Sequence, residues 1–155
     1  MGDKADKRND VIDLSMPVSE KKRYRINGDN DKIIMLNVSD MTIISRMQKG
    51  LKELKDIATE ISGTELEGEN LSEFIKECDT KMRDVLNVIF DYDVASACAP
   101  SGTMVDVVDG QFMYEHIIQT LSALYENNLS DEYQKMQERL KKHTDKYTSK
   151  RKVKA

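Results

Sequence analysis

The dipeptide Asn27-Gly28 sets the first constraint on what this chain can fold into. It stands between Lys22-Arg23-Tyr24-Arg25-Ile26, which alternates polar and apolar residues, and Lys32-Ile33-Ile34-Met35-Leu36. A two-residue type I′ turn needs positive φ at both central positions, and Asn followed by Gly adopts them at the least cost. A hairpin is therefore predicted, with Asp29, Asn30 and Asp31 available to lengthen its loop. Tyr24 and Ile26 are predicted to face inward, Arg23 and Arg25 to face water. Two strands by themselves are marginal in water, so the hairpin requires a packing surface elsewhere in the chain.

Helices are predicted to supply it. Ser39 or Asp40 is a good N-cap. Ile44, Met47, Leu51, Leu54, Ala58 and Ile61 then recur at spacings of three and four, which predicts an amphipathic helix stopping at Ser62-Gly63. Gly50 falls inside it at a cost of about 1 kcal/mol relative to Ala. It permits close approach of another element, although a tolerated surface glycine is the simpler account. The acidic stretch 64–70 reads as a loop. A second helix is predicted over 71–90, with Leu71, Phe74, Ile75, Cys78, Met82, Leu86 and Ile89 on one face.

Pro100, Gly102 and Gly110 punctuate residues 91–110, where 104–108 fits a helical turn or a strand. A third helix is predicted over 111–127, using Phe112, Ile117, Leu121 and Leu124. Asn127-Asn128-Leu129 is predicted to turn, and Ser130 to cap a fourth helix with Asp131 and Glu132 in its first turn. The apolar stripe of that helix is narrow: Tyr133, Met136 and Leu140, with Tyr147 beyond. These three are the expected partner-binding residues. The expected fold class is α+β, mostly α, with an N-terminal β-hairpin packed on a bundle of about four helices. Residues 21–147 form the expected single domain, flanked by a disordered polar arm (1–20) and a basic flexible tail (148–155).

The 155 residues suffice for one domain, and the core must come from Leu, Ile, Val and Met, because a third of the chain is charged and Trp is absent. No apolar run approaches the roughly 20 residues needed to span a bilayer, and no apolar stretch follows the N-terminal charges as in a secretory signal. A cytoplasmic protein with no membrane partner is expected. Cys78 and Cys98 lack any Cys-x-x-Cys spacing and are expected to be reduced, packed thiols. From Lys135 to Ala155 nine Lys/Arg face only Glu138 and Asp145, a charge of +7, which leaves −11 on the rest of a chain whose net charge is −4. Nucleic acid is not the expected partner of this tail, since the body is acidic and offers no aromatic stacking platform.

Catalytic, metal and cofactor residues are all expected to be absent. His116 and His143 form no His-x-x-x-His spacing. The Gly28 of the Asn27–Asp31 run comes too early for a calcium loop, and no glycine cluster has phosphate-binding spacing. Asp91-Tyr92-Asp93 places two carboxylates and a phenol at a helix end, and a solvated helix end accounts for them.

The stretch Lys22-Arg23-Tyr24-Arg25-Ile26-Asn27-Gly28-Asp29-Asn30-Asp31, followed by residues 33–36 and Ser39-Asp40, resembles small prophage proteins of Gram-positive bacteria in which such a hairpin leads into a long helix with a Ser-Asp cap. The predicted order, hairpin then four helices, is similar to that of phage tail assembly chaperones. The resemblance covers residues 20–140 in organisation and 20–45 in letters. It implies a non-enzymatic protein that binds the tape-measure protein, tail-tube protein, or itself, and keeps the tape measure's apolar stripe soluble while the tube polymerises. It brings no catalytic residues. The rival expectations are a structural tail completion or connector protein of the virion, and a prophage regulator using its basic tail on nucleic acid.

Overall fold

The structure is a computed structural model and describes residues 10–154, with side chains up to Asp131 and at Gln134, Lys135 and Glu138. Strands β1 (Lys22–Ile26) and β2 (Asp29–Leu36) pair antiparallel around Asn27 and Gly28, whose φ values of 52° and 70° are those of the expected turn. Tyr24 pairs with Ile34 and Lys22 with Leu36, but after Arg25–Ile33 the register shifts and Ile26 pairs with Asp29. The shift leaves residues 30–32 bulged on β2, where Asp29 Oδ1 accepts from the Asp31 N–H at 2.9 Å. Ile34 and Leu36 are completely buried, Tyr24 and Ile26 pack beside them, and Arg23 and Arg25 are exposed.

Helix α1 (Ile43–Gly63) follows β2 through a turn built by Asp40, whose carboxylate accepts from Thr42 N at 2.9 Å and from Thr42 Oγ1 at 2.6 Å. Of the two expected caps it is Asp40 that makes the capping-type bond, one turn ahead of the regular helix. Helix α2 (Gly68–Phe90) begins three residues earlier than predicted and ends where Asp91 turns left-handed at φ 53°. Its predicted face is the buried one: Cys78, Met82, Leu86 and Ile89 are in the core and Leu71, Phe74 and Ile75 are half-buried. Burying such side chains contributes roughly 1.5–3 kcal/mol each.

A five-residue helix, α3 (Val94–Cys98), is capped by Asp93 and brings Val94 and Ala95 into the core. Beyond it a second hairpin forms, β3 (Val107–Val108) with β4 (Gln111–Phe112), turning on Asp109 (φ 52°) and Gly110 (φ 78°). Asp-Gly carries the same turn chemistry as Asn-Gly.

The last element corrects the sequence reading. Met113–Lys154 is one helix, α4, of 42 residues, and the turn predicted at Asn127-Asn128-Leu129 does not exist. Tyr114, Ile117, Leu121 and Tyr125 bury against the body, and Asn128 Nδ2 donates to Val38 O at 3.2 Å. The fold is thus α+β, mostly α, an N-terminal hairpin followed by four helices that share one core with it. The four are not those expected: α3 is an addition, and the predicted third and fourth helices are one.

Candidate functional site

Helices α1 and α2 meet around a glycine. Gly50 lies so close to Ile89 that a β-carbon at position 50 would run into the Ile89 side chain. Close approach is therefore the role of Gly50, and the surface alternative is set aside. Beside this contact the seam opens into a groove of about 410 Å³, lined by the apolar Gly50, Val85, Val88 and Ile89 and by the charged Arg46, Lys49, Glu53 and Asp84. It runs on toward Ile57 and Lys81 on one side and toward Asn87, Asp91 and Tyr92 on the other.

Arg46 fixes the lip between the helices. Its Nε donates to Ile89 O at 2.9 Å, Nη2 pairs with Asp40 Oδ2 at 3.1 Å, and Nη1 donates to Thr42 Oγ1. The Thr42 hydrogen bonds, with Arg46 assisting, hold the Asp40 carboxyl below the usual carboxylate range. On the other side of α2, Arg83 Nε pairs with Asp79 Oδ2 at 2.9 Å while its two terminal nitrogens donate to Ala99 O (2.9 Å) and Gly102 O (3.1 Å). Asp79 Oδ1 accepts from Met104 N at 2.7 Å. This pair straps the segment around α3 to α2. Its spacing of four residues was the available signal, but in sequence it reads as an ordinary helix-surface ion pair.

Two rows of apolar side chains are left uncovered. On α1 the buried residues are Ile43, Gly50 and Leu54, so the body covers one flank of the predicted stripe; Ile44 and Leu51, with Met41 ahead of them, remain exposed on the other. The second row lies in the N-terminal arm, where Val11, Ile12, Leu14, Met16 and Val18 are 70–84% exposed. The expectation of a polar arm fits the composition of residues 1–10 better than that of 11–18, where Ile12, Leu14, Met16 and Val18 alternate with polar residues and proline. Its root is tied down at two points. Asn37 Nδ2 donates to Ser19 Oγ at 2.9 Å, and Lys21 Nζ reaches Asp91 O at 3.1 Å and Asp91 Oδ2 at 3.7 Å.

The polar groups weighed as possible chemistry are placed structurally. Asp91 ends α2, Tyr92 donates its hydroxyl to Ile33 O at 3.3 Å, and Asp93 caps α3. Hydrogen bonds from Ser96, then Asn87, hold the Asp93 carboxyl below its usual range. His116 Nε2 lies 2.5 Å from Val108 O. Cys78 and Cys98 are free thiols, and burial pushes Cys98 up to about 11. Tyr133, Met136 and Leu140 fall on the helical backbone of α4, but their side chains lie outside the described residues, as does that of His143. Among the described residues no helix is long and apolar enough to cross a membrane.

What these surfaces can do is bury apolar area against another chain. Compared with protein-family models, with curated proteins and with solved structures, the chain matches none of them.

Proposed function

We propose that this chain is a non-enzymatic, phage tail assembly chaperone-like protein that binds the tape-measure protein, tail-tube subunits, or both during tail morphogenesis in the cytoplasm of a bacterial host. The observation that carries the reading is the uncovered flank of α1: Ile44 and Leu51 lie exposed two turns apart on one side of the helix, and Met41, in the turn that leads into it, is 62% exposed. An apolar row parallel to a helix axis suits a helical client whose own stripe needs cover, read at i, i+3, i+7 spacing. Methionine adds tolerance, because its flexible side chain repacks as the client changes register. The hairpin leading straight into a long helix, on which the resemblance rests, supplies the family context.

The test is co-expression of the tagged chain with its neighbouring genes and identification of what is captured. Recovery of a long helical tape-measure-like protein is expected, with capture lost in an Ile44→Lys, Leu51→Lys variant that keeps its circular dichroism. A Met136→Lys, Leu140→Lys variant measured alongside tests the partner surface expected on α4. Finding the chain built stoichiometrically into finished particles favours a tail completion or connector protein. Recovery of nucleic acid without protein favours the regulator.

A further inference from the structure

Independently of that reading, we propose that residues 11–18 of one chain seat in the α1–α2 groove of a second copy. Taken as an extended strand, the arm is a two-faced ligand. Alternation puts Ile12, Leu14, Met16 and Val18 on one side and Asp13, Ser15, Pro17 and Ser19 on the other. All five apolar side chains from Val11 to Val18 are exposed, so its own body does not cover them. The groove is the matching acceptor. Its apolar lining is Gly50, Val85, Val88 and Ile89, of which Val88 is 66% exposed.

Lengths and areas agree with this pairing. Residues 12–18 extended span about 20 Å, and the groove follows α2 from Lys81 to Phe90, a rise of about 14 Å, and runs on past its end to Asp91 and Tyr92. Each arm side chain represents roughly 60–120 Å² of apolar surface. Two reciprocally exchanged arms, with the groove surface they cover, then bury on the order of 1,500 Å², the size of a standard stable interface. Reciprocal exchange is also closed by a two-fold axis, which stops the assembly at two copies.

The root of the arm argues for a second copy over its own groove. Lys21 is tied to Asp91 at one end of the groove and Ser19 to Asn37. With its root held there, the arm leaves the groove of its own chain uncovered, Val88 being 66% exposed beside five exposed arm side chains. Pro17 fixes its own φ and biases Met16 toward extended backbone, which lowers the entropy lost when the arm docks as a strand-like ligand.

Sedimentation of the full chain over a wide range of concentration tests the idea. Twice the mass of the chain is expected, falling to the mass of one chain in a Leu14→Asp, Met16→Asp arm variant and in a Val88→Asp groove variant, each with unchanged circular dichroism. Contact is then read directly by mixing a Leu14→Cys chain with a separately tagged Val88→Cys chain under mild oxidation, where a disulfide joining tagged to untagged chain is the expected product. A single-chain mass for the unsubstituted protein throughout the range overturns the proposal. So does a dimer that survives both variants, or the absence of the mixed disulfide.

Discussion

Gly50 and Ile89 touch across the α1–α2 seam in space that no side chain on residue 50 can share. Two effects oppose each other in Gly50→Ala. The substitution gains up to about 1 kcal/mol of helix propensity, whereas forcing a methyl into a packed contact costs about 1–3 kcal/mol. Steric cost is expected to win, because the obstacle includes the inner part of the Ile89 side chain as well as its tip. Urea denaturation should show a net loss of roughly 1–2 kcal/mol; a gain in stability would mean the helices separate freely.

Removing the guanidinium of Arg83 should loosen one segment selectively. In Arg83→Met the carbonyls of Ala99 and Gly102 lose their donor and Asp79 loses its cation. Hydrogen bonds to charged groups contribute about 1.5–3 kcal/mol, and both side chains are mostly shielded, so a loss of about 2 kcal/mol is expected. Hydrogen exchange should quicken at residues 99–104 more than in α1. A uniform change across the protein would show that the strap is not local.

Continuity of α4 is tested by Asp131→Pro. Had Ser130 capped a separate helix, proline at the next position would be welcome there. Within one helix it removes a backbone bond and clashes with the preceding turn, at a cost of about 3 kcal/mol or more. A clear drop in the helical circular dichroism signal is expected. An unchanged signal would restore the turn at Asn127-Asn128-Leu129.

Burial keeps Cys98 protonated. With its thiol pushed up to about 11, it should carry on the order of a hundredfold less thiolate at pH 8 than a free cysteine. Alkylation by iodoacetamide should be correspondingly slow in the native protein and fast in urea. The folded pKa is raised, so this contribution to stability is complete below the ordinary thiol range, near 8.5, and is lost as pH rises toward 11. Equal alkylation rates in the native and unfolded protein would show that the thiol is accessible.

The hairpin and the buried face of α2 were legible from residues because both are local. Asn27-Gly28 fixes its turn through the φ preferences of two residues, and the row from Leu71 to Ile89 repeats often enough to name its own face. The second hairpin, on Asp109-Gly110, follows the same rule, but its strands are two residues each, too short to show an alternation of their own. For α1 the periodicity located the helix but not the covered flank. Ile44 and Leu51 carry the hydropathy signal and are exposed, whereas Gly50, at the centre of the contact, carries none.

Local chemistry thus determined the first hairpin, the two long helices that follow it, the mostly α character of the fold and the apolar residues available for burial. Tertiary structure decided which of those residues were covered, joined two predicted helices into α4 and converted the Asp79–Arg83 pair into a strap. The reason is one of range and magnitude. Turn and periodicity preferences act over a few residues, while the penalty of Asn in a helix is below about 0.7 kcal/mol. Asn128 meets Val38 across 90 positions and Arg83 meets Gly102 across 19, contacts that exist only once the chain has folded.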